Sequence, residues 1–352
     1  MRKKKVFFIL SSLRAGGSER VFYLLVRNFD KSLYDVTLIL LDSRDNFFET
    51  PIVGVNLIEL NTIKASKSFF KLVSLLRAEK PDAVFSTGSH INILLGYVSF
   101  FANIPRLIAR ESNIPNLMHV YAGMKAKITG HLIKLVYRKF DVIVCQSQEM
   151  KAALNQVYNI KDTKMVVIPN PVAQPKVQVH VPIDNGEINK MIFVARLSHE
   201  KGHFRLLECL ADLPVNYHLT LAGDGPLKYN IEQKIIELGL EKRVYMLGQI
   251  SNVPEIIAAH NLFVLSSFTE GFPNVVIEAL SVGVPVVAFN VGGLSHIINE
   301  KNGYVVDQHK LSDFKQRIVE ACNRRWDGDH IANDIQARFG INKISSCYAQ
   351  LI

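Results

Sequence analysis

The chain has 352 residues, 48% of them hydrophobic and 21% charged. This is an ordinary globular composition, which excludes a disordered or fibrous protein and leaves room for two domains. The formal net charge of +9 is unevenly placed: residues 1–170 hold 24 Lys and Arg against 13 Asp and Glu, whereas residues 171–352 balance to −2. A cationic first half suits nucleic acid, an anionic membrane or a phosphorylated acceptor. Four cysteines (Cys145, Cys209, Cys322, Cys347) lie scattered without CxxC spacing. They suggest neither a disulfide framework nor a zinc site, and a reducing compartment is expected.

The N-terminus, MRKKKVFFILSSLRAGG, imitates a signal peptide, but its apolar core VFFIL is too short for export. It reads as a first β-strand. LRAGGS then leads into a helix-like SERVFYLLVRNF. DVTLILL (35–41) and NLIEL (56–60) follow as strands, 66–79 as a helix, and DAVFSTG (82–88), RLIAR (106–110), DVIVCQS (141–147) and KMVVIPN (164–170) as further strands. These runs are continuously apolar, as expected of strands covered on both faces by helices. The pattern stalls at 171–189, in a stretch rich in proline, which reads as a linker. It restarts with KMIFVAR (190–196), HLTLAGDG (218–225), VYMLG (244–248), LFVLSS (262–267), PVVAF (285–289) and GYVVD (303–307). Two βαβ series predict an α/β protein of two doubly wound, Rossmann-like domains, 1–170 and 190–340, facing across a cleft. Residues 341–352 are expected to pack back on the first domain. No run approaches the roughly 18–20 apolar residues that span a bilayer.

The most informative stretch is EGFPNVVIE (270–278). Gly271 and Pro273 separate a strand-like run from a helix-like one, and proline suits a helix's first position. The free amides of that first turn, with the helix dipole behind them, make a phosphate cradle. Glu270 and Glu278 bracket it, and an acidic pair around a phosphate cradle suits a nucleotide sugar. Alone, such a junction fits any α/β protein. In VARLSHEKGH (194–203), Arg196 and Lys201 sit where a strand meets a helix and could grip a diphosphate. Gly16 and Gly17 follow the first strand and allow close approach of backbone or positive φ. Ser18 reads as the next helix's N-cap. The loop is neither GxGxxG nor a P-loop. AGDGP (222–226) could line a nucleotide pocket or be a plain turn.

The order GGSER, Arg-x4-Lys followed by Gly, AGDGP, then EGFPNVVIEAL-x-x-G-x-PVV resembles the family 4 retaining glycosyltransferases of GT-B fold over nearly the whole chain. It is most similar to bacterial enzymes that build polyprenyl-linked oligosaccharides, O-antigen or capsule. The resemblance implies that Arg196 and Lys201 hold the diphosphate of a nucleotide sugar, UDP-linked by expectation, and offset the leaving group's charge where other transferases use a metal. It also implies that the amides of Asn274 and Val275, in the Gly271–Phe272–Pro273 turn, contact the phosphates. Glu278 would bind the ribose, Glu270 the sugar hydroxyls, and Ile250 would mark the base site. Gly16 and Gly17 would let the first domain close over the diphosphate. A hexose or N-acetylhexosamine would pass to a lipid-linked saccharide with no metal and no cofactor. Many relatives carry a histidine in IARESN (108–113), where this chain has Glu111. That departure puts the acceptor side in doubt, since Glu111 could position the acceptor hydroxyl or be a plain loop carboxylate.

Asp327-Gly328-Asp329 has the spacing of a metal motif but follows a helix-like run, so it reads as a solvated turn. In YAGMKAKITGHLIKLVYRKF (121–140), apolar residues recur at helical spacing among Lys125, Lys127, Lys134, Arg138 and Lys139. This reads as a basic amphipathic helix, either lying on a membrane or covering the core. A peripheral enzyme on the inner face of the cytoplasmic membrane is the resulting expectation. The rivals are a nucleotide-sugar 2-epimerase of the same fold and, in a different class, a basic nucleic-acid-binding protein. The epimerase would lack the Glu-x7-Glu pattern, and no nucleic-acid module is recognisable.

Overall fold

The computed structural model describes residues 2–44, 46–62, 65–112, 134–175 and 188–352. The chain divides into two compact units, the first formed by Met1–Pro171 with Ile341–Ile352 and the second by Val172–Gly340.

The first unit carries a seven-stranded parallel sheet of β1 (Lys4–Leu10), β2 (Tyr34–Leu40), β3 (Val55–Glu59), β4 (Ala83–Thr87), β5 (Leu107–Arg110), β6 (Val142–Cys145) and β7 (Met165–Val167), in the order β3-β2-β1-β4-β5-β6-β7. Val6 to Leu10 are buried without interruption, because helices cover both faces. On one face α1 (Gly17–Asn28) and the C-terminal helix, Ile341–Ala349, share a core with Phe8, Phe22, Phe85 and Tyr348. On the other, α2 (Phe69–Glu79), α3 (Ser89–Val98) and α4 (Gln148–Tyr158) pack over Phe7, Ile9, Val84 and Ile143. Fully burying each such side chain stabilises the fold by about 1.5–3 kcal/mol. Two helix ends follow local rules. Ser147 caps α4 by accepting from the Met150 amide at 3.2 Å, and Asn159 ends it in the left-handed conformation.

The second unit carries a six-stranded parallel sheet of β8 (Asn189–Val194), β9 (Tyr217–Ala222), β10 (Val244–Gly248), β11 (Leu262–Leu265), β12 (Val286–Phe289) and β13 (Gly303–Val306), in the order β10-β9-β8-β11-β12-β13. Its helices are α5 (His203–Ala211), α6 (Lys228–Glu237), α7 (Val253–Ala258), α8 (Asn274–Ser281), α9 (Leu311–Asn323) and α10 (Gly328–Phe339). Phe289 stacks on Phe314 of α9 at 4.2 Å between centroids.

Several expectations need correction. The linker expected over 171–189 begins as part of the second unit: the buried Val172 donates its amide to Phe339 at 2.8 Å, and Gln336 donates to the Ala173 carbonyl at 3.1 Å. Residues 176–187 lie outside the described residues. The N-cap of α1 is Gly16, not Ser18, and makes no side-chain cap hydrogen bond. Pro273 is the N-cap of α8, at φ −78° and ψ 94°, and Asn274 is the first helical residue. Most of the basic segment 121–140 lies outside the described residues, and only 134–140 are seen, with 134–137 helical. Among the described residues, no helix is long and apolar enough to cross a membrane.

Candidate active site

In the second sheet the chain winds from β8 outward to β9 and β10, then returns to place β11 on the other side of β8. Loops leaving the carboxyl ends of β8 and β11 therefore diverge at a topological switch point, where open α/β sheets bind ligands. Arg196 and Lys201 follow β8, and Glu270 follows β11. The Lys201 ammonium donates to both Glu270 carboxylate oxygens, at 2.8 and 2.9 Å, and the Ser267 hydroxyl donates to one of them at 2.6 Å. Arg196 is exposed on the same loop, two residues beyond β8.

The two loops are stitched together by backbone. Lys201 lies in a short 3-10 turn (His199–Lys201) ahead of α5. Its carbonyl accepts from the Ser266 hydroxyl at 3.1 Å, and the Glu200 carbonyl accepts from the Phe268 amide at 2.8 Å. Gly202 has φ +67°, and a Cβ there would stand 2.2 Å from the Ser266 carbonyl oxygen. Only glycine fits such a turn at such an approach, which explains why Gly must follow Lys201. On the far side Gly292, at φ +56°, lies so close that a Cβ would be 2.9 Å from the Glu270 carbonyl oxygen. AGDGP proves to be a brace. Asp224 accepts the Leu197 amide at 3.0 Å through its carbonyl, and a Cβ on Gly223 would meet the Ala195 carbonyl oxygen at 1.9 Å. It fixes the loop that bears Arg196.

One residue of this arrangement was not singled out from the sequence. Arg205 on α5 donates from Nε to the Ser266 carbonyl and from Nη2 to the Ser267 carbonyl, each at 2.7 Å. Its Nη1 reaches the Gln308 side chain at 2.8 Å. The guanidinium is sandwiched between Phe268 and Phe289, 3.9 Å from each ring centre. Burial brings it down to about 10, still cationic at neutral pH. Its partners are mostly backbone carbonyls, which leave no mark in a sequence.

Gly271, Phe272 and Pro273 form the turn into α8, with Asn274 and Val275 in its first turn and Phe272 against Phe339 at 6.2 Å. Glu278 is buried in the next turn. Ile250 follows β10 and packs on the core of this unit. Asp327, half of the candidate metal motif, caps α10 by accepting from the His330 amide at 2.9 Å.

The first unit has its own switch point, between β1 and β4. Gly16 and Gly17 follow β1, and the Glu19 carboxylate folds back over Gly16 from α1's first turn. Burial raises Glu19 above the usual carboxylate range. Glu111 follows β5 and is buried, accepting from Asn92 at 2.7 Å and from Ser89 at 3.4 Å. Desolvation pushes its carboxyl up to about 7, against hydrogen bonds and the Arg110 charge, which pull it down. Arg110 is wholly buried on the opposite face of the strand, donating to Thr87 at 3.0 Å and Asn170 at 2.5 Å beside Tyr348. Gln146 ties the network together by donating to the Glu111 carbonyl at 2.8 Å.

This architecture, two doubly wound parallel sheets each with a topological switch point, is that of the GT-B glycosyltransferases. Two family descriptions match the chain: "Glycosyltransferase Family 4" over residues 15–173 and "Glycosyl transferases group 1" over residues 180–337. The chain belongs to these glycosyltransferases. Among its relatives is the N-acetylgalactosamine-N,N'-diacetylbacillosaminyl-diphospho-undecaprenol 4-alpha-N-acetylgalactosaminyltransferase of Campylobacter jejuni, 28% identical over 294 residues, which are 81% of this chain and 80% of that one. Another is the UDP-Gal:alpha-D-GlcNAc-diphosphoundecaprenol alpha-1,3-galactosyltransferase of Escherichia coli, 27% identical over 294 residues, 75% of this chain and 72% of that one. Among solved structures, Anabaena HepE in complex with UDP superposes with a TM-score of 0.79 at 19% identity, covering 99% of this chain and 98% of that one. That likeness bears on the fold alone.

Proposed function

We propose that the chain is a retaining, metal-independent glycosyltransferase. It moves a hexose or N-acetylhexosamine from a UDP-sugar to a polyprenyl-diphosphate-linked saccharide, at the inner face of the cytoplasmic membrane. The observation that carries this reading is the Lys201–Glu270 contact at the switch point of the second sheet, 2.8 Å across the two loops. It sets a phosphate-binding cation directly beside a carboxylate able to hold sugar hydroxyls, which is the order of groups in a nucleotide sugar. The relatives named above transfer N-acetylgalactosamine or galactose to undecaprenyl-linked acceptors.

In the proposed reaction the bond from the anomeric carbon to the β-phosphate oxygen breaks and a bond to the acceptor oxygen forms on the same face. The acceptor hydroxyl's proton passes to the departing phosphate. Arg196 and Lys201 neutralise the charge growing on that phosphate, the work a divalent cation would otherwise do. The amides of Asn274 and Val275, in the turn made by Gly271, Phe272 and Pro273, hold the phosphates. Glu278 binds the ribose, backbone near Ile250 the base, and Glu270 the sugar. Gly16 and Gly17 admit the diphosphate close to backbone, and Glu111 positions the acceptor hydroxyl. No cofactor takes part, and the cationic surface serves lipid rather than nucleic acid.

Thermal shifts with UDP-, GDP- and ADP-sugars test the donor site, with stabilisation by a UDP-sugar expected. A folded protein that none of them stabilises overturns it. Retention is read from the anomeric proton coupling of the product, and metal independence from turnover undiminished by EDTA.

A further inference from the structure

Three phenylalanines and a leucine stand out on the first unit. Phe70 is 81% exposed, Phe101 54%, Phe100 50% and Leu135 49%. They form one surface. Phe69 meets Phe70 at 5.2 Å and Phe101 at 5.5 Å between ring centres, and Phe100 is Phe101's neighbour. The Lys139 ammonium lies over the Phe100 ring at 4.0 Å, four residues beyond Leu135. Soluble proteins seldom leave large apolar side chains clustered in solvent without a partner for them.

The rim states what kind of partner. The segments that bear these side chains, 67–80, 99–105 and 134–139, hold seven Lys and Arg (Lys67, Lys71, Arg77, Lys80, Lys134, Arg138, Lys139). Their only carboxylate is Glu79, which pairs with Lys5 at 3.1 Å. Arg77 also anchors the aromatic loop, donating to the Phe101 carbonyl at 2.7 Å. Apolar rings inside a cationic rim match an anionic bilayer: rings enter the acyl boundary while ammonium groups meet lipid phosphates. Each such cation near an anionic leaflet contributes about 1 kcal/mol.

We propose that the Phe70–Phe100–Phe101 surface, with Leu135 and its rim of lysines and arginines, docks the enzyme on an anionic lipid bilayer. The inference deepens the proposed function by naming the surface that meets the acceptor's membrane. It does not depend on which donor the enzyme uses.

The test is sedimentation of the full chain with vesicles of phosphatidylcholine alone and of phosphatidylcholine containing phosphatidylglycerol. The wild type is expected to pellet with the anionic vesicles and to stay in solution with the neutral ones. Phe70→Ser with Phe100→Ser should lower partitioning about tenfold, since two exposed rings leave the bilayer. Lys71→Glu with Lys139→Glu, which keeps the rings, should lower it by a similar factor and show the same loss when salt is raised. Unchanged thermal shifts with UDP would show both variants folded. The proposal is overturned if the wild type ignores anionic vesicles, binds neutral ones equally well, or is matched by either variant. Loss of the UDP shift in the wild type, with vesicle binding intact, would count against the donor site and not against this surface.

Discussion

The carboxyl edge of the second sheet sets its charges face to face in a half-buried pair, Lys201 against Glu270. The carboxyl edge of the first buries Arg110, the last residue of β5, and Glu111, the next, pointing to opposite faces; their hydrogen-bond partners are neutral amides and hydroxyls, and the Arg110 Nε is left without one. The difference is one of solvent and partner. A half-buried ion pair can exchange one partner for a ligand of like charge, so Lys201 can turn from a carboxylate to a phosphate at little loss. A buried carboxylate with neutral partners instead holds a proton whose release is set by desolvation. On the proposed reading the second edge takes up the charge of a phosphate, while the first holds a carboxyl that burial pushes up to about 7.

The largest effect should come from breaking the pair. Lys201→Ala removes the cation from the proposed leaving group, and kcat/KM should fall about 10²–10³-fold, as when a charge-stabilising donor is lost. The melting temperature should change little, because Ser267 still holds Glu270. Near-normal turnover would mean that this edge does not handle phosphate.

The first edge is probed through pH. Glu111 is raised from 4.5 to about 7 in the folded protein. Its protonated form therefore adds stability that is fully present below the unfolded value and lost as pH rises through about 7. Chemical denaturation from pH 5 to 8 should show the wild type losing up to about 3 kcal/mol relative to Glu111→Gln. If Glu111 positions the acceptor hydroxyl, the variant should also flatten the pH dependence of kcat/KM near neutrality. Parallel stability curves for the two proteins would show that the carboxyl is not desolvated as described.

Much of the fold was legible because parallel strands covered on both faces leave continuous apolar runs, and thirteen of them stand in the two sheets. The carboxyl edge of the second sheet was legible in part because glycine and proline punctuate it. Gly202 marks a turn that few other residues could make. What remained hidden are contacts between side chains and backbone. Arg205 looks like any cation on an amphipathic helix, and Asn92 like a polar interruption in HINILLGYV, yet each meets a loop or carboxylate distant in sequence. Ser18 has the residue type of a cap, yet α1 starts one residue before it, and the Glu19 carboxylate folded over Gly16 has no simple sequence mark.

Arg205 sharpens the comparison, because it orders the second sheet's carboxyl edge through the Ser266 and Ser267 carbonyls without pairing with Lys201 or Glu270. Arg205→Lys keeps the charge but loses the fork and much of the ring stacking. The Ser266 and Ser267 carbonyls would be less firmly held, and with them the loop to Glu270. An approximately tenfold loss in kcat/KM is expected, expressed in kcat more than in UDP affinity. A loss confined to thermal stability would make Arg205 a fold element only.

The smallest effect separates the two glycine loops. A Cβ on Gly202 would strike a backbone carbonyl at 2.2 Å with φ at +67°, so Gly202→Ala should cost several kcal/mol by the steric and strain terms alone. A Cβ on Gly16 would also meet an atom at 2.2 Å, but that atom is the end of the flexible Glu19 side chain, and Gly16 sits at φ −156°. Glu19 can swing away, so Gly16→Ala should change stability by less than about 1 kcal/mol. If backbone at Gly16 must approach the diphosphate, the same variant will raise KM for the donor while the melting temperature holds. Gly16→Ala with unaltered KM would leave the glycines of the first edge as turn formers alone, and would confine donor recognition to the second.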